Sequence, residues 1–150
     1  MKPTPQDWPR ISPSLFYADA GKAIDWLCNA FGFEVRLKVD GDGGTVIHSE
    51  LTFGEGLVMV ATSVATSGKP DAEYQHSPKE IGGANTQCLF IYVDDVEAHC
   101  QRARAAGATI VKEPSTVDYG DDYWSDRGYN ARDPEGHYWY FAQRLRGKAK

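Results

Sequence analysis

Glu50 and His48 stand two residues apart in a stretch, 45–53, whose alternation reads as a strand. Both side chains then point to one face, with Thr52 continuing it. A carboxylate beside an imidazole can move a proton, or the two can touch one metal ion. A second concentration of chemistry lies near the end, where Tyr138, Trp139, Tyr140 and Phe141 follow one another. Alternation sends Tyr138 and Tyr140 to one face and Trp139 and Phe141 to the other, so one pair can line a cavity while the other anchors a core. A central strand buried on both faces would read the same way. Between residues 118 and 127, Asp118, Asp121, Asp122 and Asp126 alternate with Tyr119, Tyr123 and Trp124, a composition suited to a mouth that attracts a cation. The spacing Asp121-Asp122 lacks the alternate-residue pattern of an EF-hand loop. Cys28, Cys88 and Cys100 form no CxxC, and Cys88 has neither a helix N-terminus nor a sequence-near histidine to activate it. No phosphate loop, dinucleotide glycine pattern or nucleophile elbow occurs.

The elements that must carry these groups follow in order. Residues 1–9 are a Pro-rich lead-in, and 10–17 read as a strand, partly at an edge because of Pro13. Asp19 caps a helix expected over 20–31, with Ile24, Leu27, Cys28 and Phe31 on one face and Gly32 as its stop. Strands at 34–39, 45–53 and 57–62 come next, separated by Gly-rich turns. Residues 63–85 lose periodicity. A strand at 87–93, a helix capped by Asp94 with Glu97 three residues on, the stop Gly107 and a strand at 108–111 follow. A Pro- and Asp-rich loop leads to a closing hairpin whose turn, Asp133-Pro134-Glu135-Gly136, fits type I.

The two halves repeat each other. A shift of 75 positions takes Tyr17 to Tyr92, Asp19 to Asp94, Ala23 to Ala98, Ala30 to Ala105, Gly32 to Gly107 and Val35 to Ile110. That is the pattern of a duplicated supersecondary unit. The expected fold is α+β: two βαβββ modules, with curved mixed sheets around a shared cleft. Module one covers about 10–64, a linker or lid about 65–85, and module two about 86–146.

With 41% hydrophobic and 25% charged residues, the chain has the composition of a soluble globular domain. A net charge of −5 argues against nucleic acid and anionic membranes as partners. No apolar run approaches the roughly 18 residues that span a bilayer. Three unpatterned cysteines and a polar start lead us to expect reduced thiols in a cytoplasm.

Paired βαβββ modules and the Asp133-Pro134-Glu135-Gly136-His137 hairpin with its aromatics resemble the vicinal oxygen chelate superfamily. Trp124-Ser125-Asp126-Arg127-Gly128, and Ala18-Asp19 leading into Ala23-Ile24-Asp25-Trp26-Leu27 and Phe31-Gly32-Phe33, resemble its glyoxalase/bleomycin-resistance-like branch. Members that catalyse hold a divalent metal through four His or Glu side chains; the resemblance places those positions at Ser12, Glu50, Cys88 and Tyr140. Only Glu50 is an ordinary ligand for a hard ion. No metal or other cofactor is therefore expected, with His48 and Glu50 the residues for a metal-dependent glyoxalase-like or dioxygenase-like alternative. The lining of the cleft is expected to comprise Ser12, Ser14, Glu50, Thr52, Cys88, Phe90, Tyr92, Trp124, Tyr138 and Tyr140, suited to a planar aromatic or cationic molecule. Glu50 would serve as its counter-ion or, with a raised pKa, as a general base; paired instead with Arg127 or Arg132, it would be structural. The resemblance implies a homodimer, and a binding protein of the antibiotic-sequestering kind.

Overall fold

The computed structural model describes residues 1–64 and 73–148. The chain divides into two compact units, Met1–Gly83 and Ala84–Lys150. Much of the predicted linker or lid, residues 65–72, lies outside the described residues. Its described remainder includes a short 3-10 turn, Pro78–Ile81, closed by a reciprocal capping box between Ser77 and Glu80.

In the first unit, β1 (Ser14–Tyr17) leads into α1 (Ala20–Phe31), then β2 (Glu34–Asp40), β3 (Val46–Phe53) and β4 (Gly56–Thr62). The sheet order is β1-β4-β3-β2, with β1 parallel to β4 and the other neighbours antiparallel. The helix has the predicted ends. Asp19 accepts a hydrogen bond from the Lys22 amide at 3.0 Å, and Gly32 closes the helix at φ 86°, where a side chain would be strained. Ala20, Ala23, Ile24, Leu27, Ala30 and Phe31 are its buried positions; Cys28, expected among them, is only half-buried. Tyr17, Leu51, Val58 and Val60 complete that core. Strand β1 is shorter than predicted. It begins after Pro13, whose carbonyl accepts the Met59 amide at 2.8 Å, so Ser12 precedes the strand.

The second unit repeats the design. Here β5 (Cys88–Tyr92), α2 (Val96–Ala105), β6 (Thr109–Asp118), β7 (Ser125–Arg132) and β8 (Tyr138–Arg146) form a sheet of order β5-β8-β7-β6. Again the first strand lies parallel to the last. The cap of α2 is Asp95, which accepts from the Ala98 amide at 3.0 Å; Asp94, predicted for that role, is one residue too early. Strand β6 continues through Pro114 to Asp118, where a loop was predicted.

The β7–β8 turn is built around one buried carboxylate. Asp133, 4% exposed, accepts at Oδ1 from the amides of Glu135 (3.1 Å), Gly136 (2.9 Å) and His137 (3.0 Å). Its Oδ2 accepts from Trp139 Nε1 at 3.1 Å. The predicted turn closes with Gly136 N–H donating to the Asp133 carbonyl at 3.1 Å. The same residue thus shapes the turn and fixes the indole that follows it. Beyond the turn, Trp139 and Phe141 are fully buried, while Tyr138 and Tyr140 are half-buried on the opposite face.

Candidate functional site

The face of the second sheet that bears Tyr138 and Tyr140 is aromatic. Cys88 pairs with Tyr138 and Phe90 with Tyr140 across the parallel strands. The Phe90 ring lies 4.9 Å from that of Tyr140 and 5.0 Å from that of Tyr92. Phe90 is 53% and Tyr92 47% exposed, an unusual condition for two large rings already in contact. Burial raises the pKa of Tyr92 and Tyr140, so both keep their phenolic protons near neutrality. Tyr140 also rests against Gly128. A Cβ at that glycine would come within 2.5 Å of the phenol oxygen and 2.9 Å of the Phe141 carbonyl.

Beside the rings sits a polar cluster. Asp126, 4% exposed, takes Arg144 Nε on Oδ1 at 2.5 Å and the Tyr92 hydroxyl on Oδ2 at 3.1 Å. Arg144 Nη2 donates to the same hydroxyl. The guanidinium carbon stands 5.0 Å from the centre of the Tyr92 ring and 5.1 Å from that of Trp124. Two of the four acids expected at a cation-attracting mouth are therefore neutralised internally, because Asp118 likewise binds Arg146 Nη2 at 2.7 Å. The Gly120 amide and Arg146 together hold the Asp118 carboxyl below its usual range.

In the first unit, Glu50 is nearly buried and fully engaged. Oε2 accepts from Arg36 Nε at 2.7 Å, and Oε1 lies 3.0 Å from His48 Nε2. Hydrogen bonding from His48, then from Arg36, lowers its pKa against the opposing effect of burial. This corrects two expectations: the pKa is lowered rather than raised, and the arginine is Arg36, not Arg127 or Arg132. Arg127 binds Glu97 at 2.6 Å instead. Arg36 also reaches the Asp7 carbonyl and lies 4.9 Å over the Trp8 ring, tying the lead-in to the sheet. His48 and Ser14 line a groove of about 570 Å³ with Phe16, Met59, Ala61 and Tyr74. Thr52 lines a smaller hollow beside Trp8, its hydroxyl donating to the Glu34 carbonyl at 3.4 Å. Ser12 Oγ is buried without a hydrogen-bond partner among the described residues. Of the other histidines, His99 packs on Tyr129 and Phe141, with Nδ1 at 2.7 Å from the Tyr129 hydroxyl, and His137 is buried at the turn.

The donor set does not fit a divalent ion. Glu50 has both oxygens committed, and the Tyr140 phenol is held neutral. Although Cys88 is exposed as a residue, its neighbours desolvate the thiol and raise its pKa. Among the described residues, no three His, Cys, Asp or Glu side chains gather as a metal would require.

Of the residues expected from alternation, Phe90 lies in ring contact with Tyr92 and with Tyr140; Arg36, Arg144 and Gly128 beside the two sites carry no such signal, and Asp126, a loop acid by its sequence context, lies in β7. A usable signal existed for one pair: counting six residues outward from Arg132 and Tyr138, which flank the turn, reaches Asp126 and Arg144.

A duplicated βαβββ unit with these sheets defines a class. The sequence profile of the Glyoxalase/Bleomycin resistance protein/Dioxygenase superfamily matches residues 10–141. The chain belongs to this superfamily. It is 36% identical to TioX from Micromonospora sp. ML1, whose crystal structure aligns with a TM-score of 0.66 over 92% of this chain and 100% of that one. The uncharacterized protein Rv0887c of Mycobacterium tuberculosis is 34% identical over 140 residues, 92% of this chain and 76% of its own length. A glyoxalase/bleomycin resistance protein/dioxygenase family enzyme from Burkholderia phytofirmans PsJN shares the fold at 20% identity, TM-score 0.65, over 88% and 95% of the two chains. Among the described residues no helix is long and apolar enough to cross a membrane.

Proposed function

We propose that this protein binds a small aromatic molecule without a metal ion, in the manner of the superfamily's binding members. The observation that carries this reading is the ring set on one sheet face in which Phe90 touches both Tyr92 and Tyr140, with Phe90 and Tyr92 each about half exposed. Rings left half in water gain from a planar partner through apolar burial and offset stacking. The misfit of the donor set to a divalent ion supports the metal-free part. Ionised, doubly bonded Glu50 opposes its use as a general base, since its proton affinity is lowered and its oxygens are taken. Three cysteines with no CxxC spacing and no even framework support a cytoplasmic setting, and the family resemblance supports a homodimer.

The test is calorimetric titration with naphthalene derivatives. Tyr140→Ala should weaken binding about tenfold, the equivalent of roughly 1.4 kcal/mol of stacking and burial. An unchanged affinity in that variant would remove the ring face from the reading. Metal analysis of protein purified without chelators tests the rest: a stoichiometric ion lost in Glu50→Gln would overturn the metal-free assignment.

A further inference from the structure

The aromatic face already holds a cation of its own. Arg144 lies against the rings of Tyr92 and Trp124 at 5.0 and 5.1 Å, the position a cationic ligand would take in such a cage. The carboxylate that would accompany that ligand is also taken. Asp126 is 4% exposed, with Oδ1 bonded to Arg144 and Oδ2 to Tyr92. A second cation would meet repulsion from the guanidinium and find no free carboxylate oxygen on Asp126.

What the cluster still offers is a donor. Arg144 uses Nε for Asp126 and Nη2 for the Tyr92 hydroxyl, while Nη1 makes no hydrogen bond among the described residues. Its side chain is 39% exposed. Tyr92 links this donor to the Phe90–Tyr140 pair: its ring centre lies 5.0 Å from that of Phe90 and 5.0 Å from the Arg144 guanidinium carbon. Because Asp126 and Tyr92 fix the guanidinium plane, little ordering is left for a ligand to supply.

Resting on the binding role proposed above, we infer that the ligand is a planar aromatic bearing a hydrogen-bond acceptor, a carboxylate or an amide carbonyl. Its ring stacks on Phe90 and Tyr140, and its oxygen accepts from Arg144 Nη1. The cluster selects against aromatic cations, which reverses the polarity that the acidic 118–127 stretch suggests in the sequence.

The test compares 2-naphthoate, 2-naphthamide and 2-naphthylmethylammonium by isothermal titration calorimetry on the full chain. The carboxylate and the amide should each bind at least about tenfold tighter than the cation, the scale of one charge-assisted hydrogen bond. Arg144→Met frees the Asp126 carboxylate and should abolish or reverse the preference. Asp126→Asn/Arg144→Met, tested alongside, removes both charges and should bring the three within about threefold of one another, a difference of roughly 0.65 kcal/mol. Equal or tighter binding of the cation by the native protein overturns the inference and leaves the aromatic binding role standing. So does an acceptor preference that survives in the double variant. If none of the three probes binds, the binding role itself fails and the inference falls with it.

Discussion

Replacing Asp133 by Asn changes one oxygen into an NH2 group and little else, so it isolates what that carboxylate does. The remaining carbonyl can keep the three turn amides at 2.9–3.1 Å. The new NH2 must then face Trp139 Nε1–H, now 3.1 Å from Oδ2, donor against donor. Flipping the amide is worse, since it presents the NH2 to three N–H groups. Trp139 is fully buried, so its indole N–H has no water to turn to, and an unsatisfied buried donor costs about 1–3 kcal/mol. We expect a loss of about 2 kcal/mol for Asp133→Asn. Asp133→Ala also strands the His137 amide, raising the expected loss to about 3–5 kcal/mol of a total that is typically 5–15. In urea denaturation, 2 kcal/mol appears as a midpoint shift of about 1 M when the m-value is near 2 kcal/mol/M. A double-mutant cycle supplies the control. In a Trp139→Phe background, Asp133→Asn should lose less than about 0.5 kcal/mol, because the donor it clashes with is gone. A single-variant loss below 0.5 kcal/mol, or one unchanged by Trp139→Phe, would refute the two-sided role of this carboxylate.

Gly128→Ala places a methyl 2.5 Å from the Tyr140 hydroxyl and 2.9 Å from a backbone carbonyl. It should destabilise by about 1–3 kcal/mol and weaken naphthoate binding together, read by urea denaturation and calorimetry. Glu50 has a lowered folded-state pKa, so its stabilisation is present above the ordinary carboxyl value of 4.5 and vanishes as pH falls through the folded value. The Tm gap between the native protein and Glu50→Gln should therefore be steady from neutral pH to about pH 5 and shrink below pH 4.5; a gap that widens on acidification would contradict the sign. Arg127→Met removes a pair whose side chains are 34% and 54% exposed, and should change stability by less than about 1 kcal/mol, checked by the same denaturation.

The legibility of this chain in sequence follows from the range of the forces involved. Helix α1 was readable to the residue because a short-range cap and a left-handed glycine mark its ends. Two adjacent aspartates defeated the same reasoning at α2, where the choice of Asp95 over Asp94 is set by how the strand delivers the chain. Pro114 reads as a loop signal, yet β6 lies at the edge of its sheet, where a missing N–H need break no ladder, and the register slips between Lys112 and Ser115 to accommodate it. Alternation separates the buried Trp139 and Phe141 from the half-buried Tyr138 and Tyr140, as the structure has them. It could not name the polar partners: Tyr92 and Asp126 are 34 residues apart, and Arg36 meets Glu50 only because the register shifts between Val35 and Leu37.

That register shift bears on solubility as well. Strand β2 is the outer strand of its sheet, and Val35, Leu37 and Val39 are 48%, 44% and 40% exposed along it. A straight apolar edge of this kind would invite another chain to add a strand, the first step towards aggregation. The bulge at Arg36 breaks the run of open backbone groups. The residue that restrains Glu50 thus also interrupts an adhesive edge.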